Sequence, residues 1–232
     1  MSSTTTPAVT PRRDGEPEVD LTGYRLVHRA MLADTRAVAD LADRVAGGSV
    51  VLTPARATAL REYVGELCHE IHTHHDAEDR IIWPVIAASA GAAVDLGELT
   101  DDHGVIDPIL ARARTAATAI ATAPDDLEAA CRLASAMTEM FDLLDEHIGE
   151  EEREVFPVIT KFVSVVDYAH AEKELRHGVA FIHLRWVVGW LAHHATPAET
   201  SILRRKAGFP FRVLLAVSRP GFRRMRKAAL GD

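Results

Sequence analysis

One pattern occurs twice in this chain: a His, a Glu four residues on, and after five more an aromatic residue followed by Pro. The first copy is His74, Glu78, Trp83 and Pro84; the second is His147, Glu151, Phe156 and Pro157. A spacing of four puts imidazole and carboxylate on one face of a helix, a turn apart. That face is otherwise apolar in both copies. Leu60, Val64, Leu67, Ile71, Ile81 and Val85 continue the first row, and Leu133, Met137, Met140, Leu144, Val155 and Val158 the second. A buried carboxylate without a partner costs several kcal/mol, so two helices carrying such rows need a source of positive charge between them.

Two further segments share the helical period. From about Leu21 to Ala46, Tyr24, Met31, Val38, Ala42 and Val45 form a row that includes His28, and Gly47-Gly48 stops it. Thr53-Pro54 supplies an N-cap and a first-turn proline for the second helix, which runs to about Ala88. Pro84 is expected to kink or end that helix near Trp83. The third helix spans about Asp95 to Ala121, where Leu96, Leu99, Ile106, Leu110, Ala113, Ala117 and Ile120 again admit one imidazole, His103. Pro108 cannot donate to the Gly104 carbonyl, which predicts a bend beside His103. The fourth helix opens at Thr122-Ala123-Pro124-Asp125-Asp126, whose acids suit a helix N-terminus. Four such helices with short connections make an all-α fold, an antiparallel four-helix bundle.

This divides the chain into a disordered segment at 1–20, a bundle at 21–162 and a helical extension at 163–232. The extension begins with a mixed helical stretch from Ser164 to His194 that contains Tyr168, Phe181, Trp186 and Trp190. Gly208-Phe209-Pro210 is expected to break the chain before a segment rich in Arg and bulky apolar residues, Phe211 to Leu230. The net charge of -8 conceals an asymmetry. Residues 201–232 carry nine basic residues against one acid, on an otherwise acidic chain. The first 20 residues have no apolar run and do not read as a signal peptide. The most apolar window, Val179 to Ala192, contains His183 and Arg185 and is too short for a bilayer span. Cys68 and Cys131 fall inside helical patterns rather than at disulfide-framework spacings. A reducing, cytoplasmic setting is expected.

The inward rows thus hold four imidazoles, His28, His74, His103 and His147, and two carboxylates, Glu78 and Glu151. No Lys or Arg shares those rows, so a cation is the economical partner. Imidazole with carboxylate and without thiolate suits iron best, with manganese or zinc as alternatives. The His-first order at a spacing of four differs from the Glu-x-x-His pattern of ferritin-like sites.

At these residues the sequence resembles the hemerythrin family, specifically bacterial hemerythrin-like HHE cation-binding domains. The resemblance covers about Leu21 to Ile159. It rests on His28, on His74 and Glu78 with Trp83-Pro84, on Asp102-His103 with Asp107-Pro108, and on His147 and Glu151 with Phe156-Pro157. It implies an up-down-up-down bundle around two iron ions bridged by oxide or hydroxide, with Glu78 and Glu151 as bridging carboxylates. It also implies a diatomic or peroxide ligand: reversible O2 binding, or reaction with or sensing of peroxide, nitric oxide or iron availability. Oxygen-carrying members have a second His four residues beyond the first on the third helix. Here that place holds Asp107, which leaves the set one imidazole short, with Asp107 either an oxygen ligand or the mark of a place for solvent or substrate.

Several neighbours compete for roles. Glu152 lies five residues after His147, the offset that oxygen carriers use, but Glu151 repeats the spacing of Glu78 and is preferred. His72 faces away from His74 and is read as solvated. His75 is kept only as an outer neighbour of the metal, Glu70 as a rim residue, and Tyr24 either closes the end of the site or packs in the core. The basic tail, with Arg204, Arg205, Lys206, Arg212, Arg219, Arg223, Arg224, Arg226 and Lys227, is read first as an extension lying on the acidic bundle. A membrane-surface or protein-binding segment comes second, helped by Phe209, Phe211, Leu214, Leu215 and Phe222, and nucleic acid last. Three functions follow: a protein that binds or senses a small oxidant, a catalase-like peroxide enzyme, or a metal-stabilised bundle that acts through its tail.

Overall fold

The structure, a computed structural model, describes residues 7–176 and 181–231, apart from the side chains of residues 176, 181–182 and 206–211. Every regular element among the described residues is helical. The four bundle segments are α1 (Thr22–Ala46), α2 (Pro54–Ala77) continued by α3 (Trp83–Ala90), α4 (Gly97–Thr122) and α5 (Leu127–Phe162). The caps are those the sequence offers: the Thr53 hydroxyl accepts from the Arg56 N–H, and the Asp126 carboxylate from the Ala129 N–H.

The direction of each helix can be followed through two apolar clusters. The larger one gathers Met31 and Val38 of α1, Leu60 and Leu67 of α2, Ile106 and Leu110 of α4, and Leu133 and Met140 of α5. The smaller gathers Leu21 before α1, Trp83 and Ile86 of α3, Leu99 of α4, and Val155 and Ile159 of α5. The chain therefore runs from the small cluster to the large in α1 and α4, and back again in α2–α3 and α5. This is the up-down-up-down order, and it is all-helical as expected.

Pro84 does not end the second segment. Between α2 and α3 the chain makes one π-helical turn, Glu78–Ile82, in which the Trp83 N–H bonds to the Glu78 carbonyl five residues back. The wider turn absorbs the donor that proline lacks, and such turns occur mostly at functional sites.

Three helices follow: α6 (Val165–Arg176), α7 (Phe181–His194) and α8 (Pro197–Leu230). The expected break at Gly208-Phe209-Pro210 is corrected here, because α8 runs through it as one helix. Proline removes one hydrogen bond without obliging a helix to stop. Both ends of α8 are also fixed. Thr196 and Glu199 form a capping box at its start, and Arg56 of α2 donates to the Ala229 and Leu230 carbonyls at its end. The expectation of disorder is likewise corrected for residues 7–20. Val19 is buried, the Thr10 N–H donates to Asp167, and the Glu16 carboxylate accepts from the Val165 N–H at the start of α6. Residues 1–6 and the side chains of Phe181, Lys206, Phe209 and Phe211 lie outside the described residues.

α1 and α2 meet sparsely, and α7 and α8 pack on that side. Trp186, Trp190, Phe222 and Leu230 belong to the larger apolar cluster, so the extension shares the core of the bundle. Helices α7 and α8 approach closely at Gly189, where a Cβ would stand 2.7 Å from that of Phe222. The polar anchor is Asp34 of α1, fully buried. Its carboxylate accepts from the Tyr63 hydroxyl at 2.5 Å and the Trp190 indole N–H at 2.8 Å, with His194 at 3.2 Å and Arg226 at 3.6 Å. Burial opposes its charge, but His194, Tyr63 and Arg226 outweigh burial and hold the carboxyl below its ordinary value. At the rim, Arg29 grips Glu199 with two bonds, which outweigh burial and pull that carboxyl down to about 2 from 4.5.

Both carboxyls are depressed, so their contribution is complete above the ordinary carboxylate range and is lost as pH falls through the depressed values. Asp34→Asn should lower unfolding free energy by about 3 kcal/mol, since it removes a fully buried carboxylate that accepts from Tyr63 and Trp190 and faces Arg226. The native chain should show an acid-induced change in tryptophan emission from Trp186 and Trp190 as Asp34 protonates, and the same variant should reduce it. Denaturant titration and fluorescence between pH 7 and about 2 check both outcomes.

Candidate metal centre

The polar groups of the four rows lie in one layer between the two apolar clusters: His28 of α1, His74 and His75 of α2, Glu78 in the π turn, His103 of α4, and His147 and Glu151 of α5. The repeated motif also explains its aromatic residues. Trp83 stacks on His103 of the neighbouring helix, with ring centres 6.1 Å apart, and Phe156 stacks on His28 at 5.8 Å. Each aromatic–Pro step thus supports an imidazole from another helix.

The donor atoms fall into two groups that share one carboxylate. His75, His103, His147 and Glu78 form the first, and His28, His74 and Glu78 the second; within each, the atoms lie within 4.8 Å of one another. Glu151 adjoins the second, with Oε2 3.1 Å from His28 Nε2. Tyr24 donates its hydroxyl to Glu78 Oε1 at 2.5 Å. Burial, then Glu151 and Glu78, hold that phenol well above its ordinary pKa, so it stays protonated.

The inward nitrogens are aimed from behind. His75 Nδ1 donates to the Ile71 carbonyl at 2.7 Å, which leaves Nε2 with a free lone pair. His28 Nδ1 bonds Glu152 Oε1 at 3.0 Å and His147 Nδ1 bonds Asp102 Oδ2 at 3.3 Å, while His103 Nδ1 lies 3.0 Å from Asp79 Oδ1 without being aligned to bond it. Braces of this kind orient metal-binding imidazoles.

On the inner side the bonding stops. Nε2 of His28, His74 and His75, Glu78 Oε2 and both Glu151 oxygens are buried without a hydrogen bond. His74 Nε2 is 2.7 Å from Glu78 Oε1 yet is not aligned to bond it, and His103 Nε2 faces His147 Nε2 at 3.2 Å. Burial pushes His74 down to about 3 and His75 well below its ordinary value, so both are neutral lone-pair donors. Burial also lowers His28, but Glu151 and Glu152 overcome it and raise the group to about 9. Native interiors seldom leave so many buried polar atoms unpaired. Nitrogens of five imidazoles and oxygens of two carboxylates converge here without an Arg or Lys among them, a donor set that fits cations held on either side of Glu78.

Residues 21–159 match the hemerythrin HHE cation-binding domain. The chain belongs to this hemerythrin family. No curated protein and no solved structure matches it. The matched region ends inside α5, so α6, α7 and α8 lie beyond the part that defines the family.

Against the expected hemerythrin set, the layer brings together all six proposed residues, His28, His74, Glu78, His103, His147 and Glu151. It adds His75, which had been given only an outer place. The signal was in the sequence: Cys68, Ile71, His75, Glu78 and Ile82 step by three and four, and all are buried. The row drawn through His74 competed with it, and both imidazoles reach the layer because they are adjacent on a helix that widens just beyond them. Asp107 is corrected outward: it is exposed and bonds His72 at 2.7 Å on the surface. Glu152 also stands outside, held by Arg25 and bracing His28, whereas Glu151 is fully buried. Glu70 bonds His183 of α7 at 2.9 Å.

Replacing His75 should therefore matter as much as replacing His103. His75→Ala should lower metal content and shrink the metal-dependent rise in melting temperature. Asp107→Asn should leave both at the native level. In the native chain, cation at about 100 times its dissociation constant should add roughly 2.7 kcal/mol of stability. Elemental analysis and melts with and without chelator check these outcomes.

Proposed function

We propose that the layer holds two iron ions, one on each side of Glu78 and bridged by solvent-derived oxide or hydroxide, and that the protein binds or senses O2, peroxide or nitric oxide there. The observation that carries the reading is the pair of donor groups sharing Glu78, in which the inner atoms of His28, His74, His75 and Glu78 Oε2 are left without a hydrogen bond. Nitrogen and oxygen donors without sulfur favour iron over softer-site metals. When bound, an iron pair supplies redox change and an acidic place for a small oxidant.

The protein's own residues orient and exclude. The carboxylates behind His28 and His147 orient those rings, Trp83 and Phe156 shield two imidazoles, and the Tyr24 hydroxyl holds a proton at Glu78 Oε1. That last contact favours a second reading, catalase-like turnover of peroxide, in which the phenol keeps Glu78 oriented and holds a proton beside the reacting centre.

The role of the tail in this reading is to dock. Asp34, Arg29 and Arg56 each fasten the extension to the bundle, so self-docking is preferred over a membrane surface or a protein partner. No helix among the described residues is long and apolar enough to cross a membrane. With both cysteines free, a cytoplasmic location is part of the proposal.

Chain produced under iron-replete conditions should contain two irons, and reduction followed by air or peroxide should change its absorption spectrum reversibly. Steady evolution of O2 from added peroxide, lost in His147→Ala, would select the enzyme over the binder. Fully folded protein without iron, or iron whose spectrum ignores every ligand, would overturn the reading.

A further inference from the structure

A cavity of about 310 Å³ opens onto the candidate metal layer from the side of the extension. Its floor is formed by His74, Glu78 and Tyr24, and its walls by Val27 of α1, Leu175 of α6, and Val187 and Leu191 of α7. One further carboxylate, Glu172 of α6, reaches into it. Five of its twelve lining residues belong to helices beyond residue 159, where the family match ends. The chamber is thus built by this chain's own extension over a site that the bundle supplies.

Its size and chemistry exceed what a diatomic gas requires. A volume near 300 Å³ is the lower range of small-molecule sites, which are mostly apolar with a few polar groups that set orientation. O2, nitric oxide or hydrogen peroxide would leave the apolar walls wet or empty. A molecule with a hydrocarbon body would bury them, at about 25 cal/mol for each Å² removed from water. A neutral head suits this mixed surrounding: the Glu172 and Glu78 carboxylates oppose an anion, and the ions that the floor is built to hold oppose a cation.

We propose that this cavity binds a small organic hydroperoxide, with the hydrocarbon body against Val27, Leu175, Val187 and Leu191 and the neutral peroxide head at His74, Glu78 and Tyr24. The proposal rests on the reading of the layer as a peroxide- or O2-responsive iron pair and names the class of molecule admitted to it. It concerns binding and orientation by residues of this chain. Tyr24, His74 and Glu78 line the end that takes the head, while Leu175, Val187 and Leu191 of the extension contact the body.

The experiment uses the full chain as purified with its metal, and an unreactive probe, 2-phenylpropan-2-ol, which has the body of an aryl hydroperoxide with a hydroxyl as its head. Titration calorimetry should show saturable binding. Leu191→Phe and Val187→Phe, which fill the cavity from α7, should each weaken it about tenfold or more, with far-UV circular dichroism confirming that each variant is folded. The carboxylate analogue 4-isopropylbenzoate should bind more weakly than the alcohol. Absence of saturable binding to the native chain, binding indifferent to both variants, or tighter binding of the carboxylate would each overturn the proposal. The spectral response of the native chain to hydrogen peroxide is recorded in parallel. Its absence strikes the iron reading and with it the choice of a hydroperoxide, whereas its presence without alcohol binding strikes the cavity alone.

Discussion

Seven ionisable side chains in one layer, five of them buried and His74 and His103 partly so, are the constraint to which the rest of this protein answers. Each of them alone would cost free energy in an apolar interior, and most of their inner atoms, those of His28, His74, His75, Glu151 and Glu78 Oε2, lack hydrogen-bond partners. The packing on both sides of the layer is what makes that arrangement stand. Two apolar clusters, one above and one below, lock four helices in a register that brings His28, His75, His103 and His147 to the same height. Glu152 behind His28, Asp102 behind His147 and the Ile71 carbonyl behind His75 turn the other ring nitrogens inward, so the layer is preorganised for positive charge.

The shared position of Glu78 has a structural cause in the neighbouring proline. Pro84 withdraws one backbone donor, the helix widens into a π turn over Glu78–Ile82, and the carboxylate that opens this turn reaches both donor groups. In α5, which keeps Pro157 within a continuous α-helix, Glu151 lies against His28 and outside both of those groups. Two copies of one sequence motif therefore take unequal places because one helix changes its pitch and the other does not.

The extension follows a similar logic. A basic tail on an acidic bundle invites an account in terms of net charge, but the contacts that fasten it are specific and mixed in sign. Arg29 and Arg56 of the bundle hold the two ends of α8, and Asp34 of the bundle gathers Trp190, His194 and Arg226. With Trp186, Trp190 and Phe222 in the common core, α7 and α8 cover the side where α1 and α2 meet sparsely. This places α6 and α7 beside His74, where they wall the cavity over the metal layer.

By itself the sequence determined the bundle, because periodic apolar rows, Thr53, Asp126 and the glycines after α1 act locally and leave little choice. It also determined which six side chains interrupt those rows, since an imidazole or carboxylate among apolar residues at helical spacing is visible without coordinates. Only the tertiary structure decided that His75 joins them and that Asp107 and Glu152 face outward. A change of one residue in helical phase turns a side chain by about 100°, and the π turn and the packing of the neighbours fix that phase. The same holds for Asp34, an acid in α1 whose partners Tyr63, Trp190 and Arg226 lie far away in the chain. Nothing local marks such a group as buried; only the docking of α7 and α8 brings its counter-charges within reach.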